Sequence, residues 1–256
     1  MTVLDRISWQ ARRHLGIVVA PRKEYFWEAR LSKLISREGF PSWEALADSL
    51  EAGDARALDA LARHLTTNHT YFFREERHFD LLPRLLREAG IRAPRVWSAA
   101  GSTGEEGYSL AITLAEAGFQ EFLILVSDVN RRVLAEAARG QYDEARLARV
   151  PLALRQKYFD SLGGGLYRVK DSLHAHLRFR QLNLMQPLEL ESPLDAVFCR
   201  NLLIYFDEEG IREVLDRLVQ SLRPGGLLFL GEAEGFHRPV GLRPVAGASV
   251  SRKESA

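Results

Sequence analysis

In RVWSAAGSTGEEGYSLAITLAE, residues 95 to 116, an apolar run ends in small residues and glycine and then takes on helical spacing. A strand that passes through a glycine loop into a helix is how a nucleotide-type cofactor pocket begins. The loop, Ala99-Ala100-Gly101-Ser102-Thr103-Gly104, is neither G-x-G-x-x-G nor a G-K-[ST] phosphate loop. Two carboxylates, Glu105 and Glu106, stand where a pyrophosphate would need backbone amides and a cation. Asp128 closes the next strand candidate, where an acid accepts hydrogen bonds from ribose hydroxyls. The other reading of Asp128 is an N-cap for the helix that begins near Arg131.

The glutamates bear on the kind of cofactor. They would repel a pyrophosphate, but not a molecule with a ribose, a cationic amino group and a sulfonium, which describes S-adenosylmethionine. They could instead simply favour the positive end of the following helix, an effect of roughly 0.3–1 kcal/mol.

Bulk properties narrow the class. The 256 residues suffice for one large domain, or a medium one with a small companion. Lys plus Arg is 35 against 34 for Asp plus Glu, so a net charge of +1 gives no global case for nucleic acid. The basic residues are unevenly placed: residues 1–37 hold eight, against three acids, Asp5, Glu24 and Glu28. A single cysteine, Cys199, excludes an internal disulfide and any multi-cysteine metal site, and the seven histidines show no ligand spacing. No metal is expected. No apolar stretch approaches the ~18 residues of a membrane span, and residues 1–13 are too charged for a signal peptide, so a cytoplasmic protein is expected.

The elements that must position these residues fall into two textures. Up to Leu65 the spacing predicts helices at Asp5–Leu15, Lys23–Arg37, Trp43–Leu50 and Asp54–Leu65, broken at Pro21, Gly39 with Pro41, and Gly53. The second helix has an apolar stripe, Trp27, Leu31, Leu34 and Ile35, beside a basic face of Lys23, Arg30, Lys33 and Arg37; for a lone helix, such a face is ordinarily just solvated. From Arg95 strands (Arg95–Ala99, Phe122–Ser127, Leu177–Leu182, Ala196–Cys199, Leu227–Gly231) alternate with helices (Tyr108–Ala117, Arg131–Arg139, Glu208–Leu222). That is the rhythm of a doubly wound α/β sheet. Between Gly140 and His176 the rhythm breaks into a helical piece, GGG at 163–165 and the β-like LYRVK, which predicts a small insertion.

Three further stretches are specific in combination: NHTYFFRE at 68–75, QLNLM after the third strand, and FCRNLLIYFD at 198–207. Together with STGEE and SDVN they resemble, over essentially the whole chain, the motifs of the CheR-type methyltransferases, which methylate chemotaxis receptors on glutamate. The resemblance implies a helical receptor-binding domain at 1–66 and a linker with the N-x-T-x-F-F-R motif and a helix at 67–94. A Rossmann-like methyltransferase domain at 95–256 would follow, with a β-subdomain inserted at about 141–176. It implies that Asn68, Thr70 and Arg74 line the methionine end of S-adenosylmethionine. One of Glu105 and Glu106, preferably Glu106, would contact the cofactor, and Asp128 would hold its adenosine part. Asn183 and Leu184 would flank the adenine, Arg200 and Asn201 would complete the pocket, and Tyr205 would join Arg74 at the transferred methyl. The implied product is S-adenosylhomocysteine. The implied partners are the cytoplasmic methylation helices of chemoreceptors, met through Lys23, Arg30, Lys33 and Arg37. Neither nucleic acid binding nor membrane insertion is implied, and a monomer is expected.

The chain departs from the family pattern at Gly107, where proline is usual, at Asn130, for a second acid, and in GEAEGF at 231–236, which keeps Glu234 but lacks a usual histidine. The segment DSLGGGLYRV is shorter than in members that tether a receptor's C-terminal peptide, which implies recognition mainly through the basic helix. Competing classes are a scaffold that has kept the fold and lost the chemistry, and a methyltransferase for nucleic acid or small molecules. RNLLIY stands where the nucleic-acid enzymes carry N/D-P-P-Y/F. A nicotinamide oxidoreductase lacks its glycine fingerprint.

Overall fold

Apolar residues at helical spacing close the first part of the chain into a helical unit. The computed structural model describes residues 1–18, 24–66, 68–237, 239–245 and 249–254, and the backbone alone for 24–26. Helix α1 (Val3–Leu15) starts in a reciprocal cap between Thr2 and Asp5 and ends at Gly16, whose φ of 71° is left-handed. Helices α2 (Glu24–Glu38), α3 (Trp43–Glu51) and α4 (Ala55–Leu65) follow, α3 capped by Ser42 and α4 by Asp54. Ile7, Trp27, Leu31, Leu34, Leu46, Leu50 and Leu61 form its core, so the stripe read on the second helix does face inward.

Helix α5 (Arg77–Glu88) leads into the second unit, which is built on strands β1 (Arg95–Ala99), β2 (Leu123–Asp128), β6 (Leu177–Gln181), β7 (Leu194–Cys199), β8 (Leu222–Leu230), β9 (Leu242–Pro244) and β10 (Val250–Lys253). Their order in the sheet is β6-β2-β1-β7-β8-β10-β9. The first five run parallel, β10 pairs antiparallel with β8, and β9, antiparallel to β10 at the edge, returns to the direction of the five. Helices α6 (Glu105–Glu116), α7 (Arg131–Arg139) and α10 (Glu208–Ser221) are the crossovers. Both faces are covered, which is why β7 reads as an unbroken buried run, LDAVFC. This is a Rossmann-like, doubly wound sheet.

The insertion contains β3 (Gln141–Asp143), α8 (Leu152–Tyr158), β4 (Phe159–Gly163), β5 (Leu166–Val169) and α9 (Asp171–His174). Its three strands form a separate sheet in the order β3-β5-β4. Gly107 shows what a departure from the family pattern does here. A Cβ at that position would lie 2.4 Å from Val126 Cγ2, so bare backbone lets α6 press onto β2 under the cofactor loop.

Candidate functional site

The chain runs from β1 outward to β2 and β6, then returns past β1 to β7, so the sheet's switch point lies between β1 and β7. Ligands of open α/β sheets bind at the carboxyl ends of strands beside such a point. A cavity is found there, with an empty volume of ≈ 1040 Å³ including its mouth. The loops after β1, β2, β6 and β7 form its floor, and the 68–74 motif forms one wall. Leu15 and Ile17 of the helical unit close it from the other side. Gly16 between them is pressed against Phe206: a Cβ there would fall 1.8 Å from a ring atom.

The backbone around the cavity is strained. Among the described residues, the non-glycine positions with positive φ are Phe73, Glu75, Ala100, Ser102 and Asn201, at 50–76°. All five lie in the loops that form the cavity, each at a cost of order 1–3 kcal/mol, and such strain persists where function fixes a geometry.

Asp128 ends β2 with its side chain at the cavity. Its Oδ2 accepts from the Ser102 amide at 3.0 Å and its Oδ1 from the Asn130 amide at 2.9 Å. Burial still dominates over these bonds and lifts its pKa to about 6. The N-cap of α7 is Asn130, which accepts from the Arg132 amide, so the capping alternative for Asp128 falls away. Asn130, where the family carries an acid, also donates to Thr66 Oγ1 at 3.4 Å and so joins the sheet to the helical unit.

Arg200, the residue after β7, has a side chain 1% exposed between Glu106 at 3.0 Å and Glu75 at 3.2 Å, and donates to the Arg74 carbonyl. Its cation is thus spent on two carboxylates. Burial raises the Glu106 pKa, against the pull of Arg200 and a 2.6 Å hydrogen bond from Ser98. At Glu75 burial also acts upward, but Arg200, Asn201 and the Glu232 amide hold the pKa below its ordinary value. Glu234 pins the same loop from behind, accepting from the amides of Asn201 and Leu203, both at 2.7 Å. His78 packs on Phe229 beside this network, and burial with the nearby Arg200 lowers its pKa to about 4. Glu75, Glu234 and His78 were absent from the sequence-derived set; only the retained glutamate of GEAEGF pointed to one of them.

Most of the expected residues meet at the cavity. Asn68, Thr70, Arg74, Glu106, Asp128, Asn183, Leu184, Arg200, Asn201 and Tyr205 all line it. Among the described residues the side chains of Asn68 and Thr70 have no hydrogen-bond partner, and Arg74 bonds only the His69 carbonyl, at 3.0 Å. An Arg74 ion pair with Glu75 or Glu76 is not what forms. Asn183 uses its amide within the protein, donating to the His14 carbonyl and accepting from the Met185 amide.

Glu105 is the exception. Its side chain, 2% exposed, turns away from the cavity to Arg146 of the insertion and to the Thr103 hydroxyl, 2.8 Å away. Adjacent helical positions point about 100° apart, so Glu105 and Glu106 cannot both face one ligand. The basic face also divides. Lys33 and Arg37 are exposed, whereas Arg30 is partly buried and donates to the Leu65 carbonyl at 2.6 Å. Burial lowers the Arg30 pKa, countered by the neighbouring Tyr205 phenol. Lys23 lies outside the described residues.

A doubly wound sheet with a buried acid ending its second strand, a cavity at the switch point and, among the described residues, no cation free at the first loop suits an S-adenosylmethionine-dependent methyltransferase. The family described as "CheR methyltransferase, SAM binding domain" matches residues 68–247, and "CheR methyltransferase, all-alpha domain" matches residues 3–66. The "Chemotaxis protein methyltransferase" of Salmonella typhimurium is 37% identical over 253 residues, covering 96% of this chain and 88% of its own length. "Chemotaxis protein methyltransferase 1" of Pseudomonas aeruginosa is 35% identical over 238 residues, covering 87% and 86%. The Escherichia coli "Chemotaxis protein methyltransferase" is 38% identical over 239 residues, covering 90% and 83%. The chain belongs to the CheR methyltransferase family.

Proposed function

We propose that this enzyme methylates glutamate side chains of chemoreceptors, forming methyl esters that adjust chemosensory signalling. The observation that carries the reading is the meeting of Arg74 and Tyr205, from motifs far apart in the chain, at one cavity with, among the described residues, no carboxylate paired to Arg74. The residues fit the cofactor. Asp128 keeps acceptor capacity for ribose hydroxyls, Leu15, Ile17 and Leu184 offer an apolar bed for the adenine, and Asn68 and Thr70 leave polar groups for the amino acid end.

When bound, S-adenosylmethionine supplies a methyl group on a sulfonium, which a carboxylate displaces with the electron pair returning to sulfur and no proton to move. A glutamate with a pKa of ~4.3 is already ionised at neutral pH, so no general base is required. What remains for the protein is positioning and exclusion of water. The Arg74 guanidinium orients the incoming carboxylate, and the Tyr205 phenol donates one hydrogen bond. Too tight an arginine contact would blunt the nucleophile. Arg200, already held by Glu75 and Glu106, stays out of that competition.

Incubation with methyl-labelled S-adenosylmethionine and receptor cytoplasmic fragments tests the reading. Label released as methanol in mild base marks an ester; label that survives marks N-methylation and overturns it.

A further inference from the structure

Arg149, between β3 and α8, is exposed and sits outside the cofactor cavity. Its guanidinium carbon lies 4.2 Å from the centroid of the Tyr71 ring, and that of Arg74 lies 5.7 Å from the same ring. Tyr71 lines the cofactor cavity; Arg149 borders the neighbouring groove, where Glu76 and Asp80 are also found. Neither arginine has a carboxylate within ion-pair distance among the described residues. Contrast Arg146, three residues earlier, which is committed to Glu105. An unpaired guanidinium held over an aromatic face has its fork pre-oriented for a planar anion and loses less freedom on binding one.

Resting on the reading above, we propose that Arg149 is a specificity-determining residue that binds a second substrate carboxylate while Arg74 orients the reacting one. With their guanidinium carbons 4.2 and 5.7 Å from one ring centre, the two cations lie at most 9.9 Å apart, within reach of two extended carboxylate side chains on one face of a helix. Residues three or four apart on a helix have Cβ atoms ≈ 5–6 Å from each other, whereas adjacent residues point apart. The preferred substrate is therefore an acidic helix in which the reacting glutamate has another acidic residue one turn away. The motif loop thus supplies Arg74 and Tyr71, and the insertion supplies the selectivity.

The test uses the full chain saturated with S-adenosylhomocysteine and a helix-forming peptide of about 20 residues carrying two glutamates four apart, compared with its analogue bearing glutamine at the second position. By calorimetry, wild type binds the two-glutamate peptide about three- to tenfold more tightly than the analogue. Arg149→Ala binds both equally, and Arg149→Lys keeps part of the preference. All three proteins bind S-adenosylhomocysteine alike, which separates recognition from misfolding. An unchanged preference in Arg149→Ala, or no binding of either peptide by wild type, overturns the assignment. A wild type that shows the preference but forms no base-labile ester overturns the glutamate reading instead.

Discussion

Asp128 shows how one residue ties the site to pH. Its pKa near 6 lies above the ordinary 3.8, so between those values the folded protein holds the proton more tightly than the unfolded chain. Stability from this group is therefore highest in acid and falls as pH rises through about 6, by on the order of 3 kcal/mol. Cofactor binding has the opposite sign, because ribose hydroxyls donate to the ionised form. Affinity for S-adenosylhomocysteine should be full above pH 7 and weaken as pH falls through 6, approaching tenfold per unit, as calorimetry between pH 5 and 7.5 will show. Asp128→Asn should abolish the slope, while His69→Gln, on the 68–74 wall of the same cavity, should retain it. A flat profile in the wild type removes Asp128 from the ribose. Arg74→Ala and Tyr205→Phe should lower kcat by about tenfold or more while changing receptor KM and S-adenosylhomocysteine affinity little, since both act by positioning. Full turnover in Tyr205→Phe would sink its role. Asp128 and Arg200 were legible because they sit at or just after the end of a strand that leads into the site. Glu75 was not: its partner Asn201 is 126 residues away, and only the crossover brings the two together.

The link between the insertion and the cofactor loop belongs to the scale of elements. Arg146, before α8, reaches Glu105 at the start of α6, with its Nε 2.9 Å from Oε1, and its Nη2 donates to the Thr103 hydroxyl at 2.6 Å. Tyr142 of β3 donates to the Thr103 carbonyl at 2.8 Å. The loop after β1 is thus held from outside the sheet. Arg146→Ala should leave a buried carboxylate uncompensated and cost on the order of 2–3 kcal/mol, less than a fully buried pair because Arg146 is about a third exposed. Glu105→Gln in the same chain should recover part of the loss in a thermal melt, and simple additivity of the two would mean that the pair does not couple. Glycine breaks and helical spacing revealed α1 to α4, α6, α7, α10 and the five parallel strands, whereas α5 was expected only from the family resemblance and α9 escaped. The β3, β4, β9 and β10 strands escaped, because runs of three to five residues with at most one buried position leave no apolar alternation to read. The segment DSLGGG read as a loop, yet its first four residues lie in β4, which ends at Gly163.

At the scale of the whole molecule, the question is which surface meets the receptor. The proposed basic face survives as Lys33 and Arg37, both exposed on α2, while Arg30 points back towards Leu65 and Tyr205. Through Arg30 one side of α2 adjoins Tyr205, which lines the cavity, while Lys33 and Arg37 face solvent, so a receptor helix held by these two would lie near the proposed methyl-transfer centre. Strand addition at the insertion is the competing anchor, and main-chain hydrogen bonds would carry it. The β4 edge is poorly suited, since its pairing with β5 shifts register between Ser161 and Gly163, and Gly163, Gly164 and Gly165 all have positive φ. Charge reversal at Lys33 and Arg37 together should therefore raise receptor KM about tenfold at low salt, with the effect shrinking as ionic strength screens it. Removing the receptor's C-terminal tail should change the rate by less than about twofold, because the edge offers so few unbroken ladder bonds. Initial methylation rates for intact and truncated receptor, each over a salt series, measure both effects at once. A large loss on truncation together with a salt-independent response to charge reversal would move the anchor from α2 to the insertion.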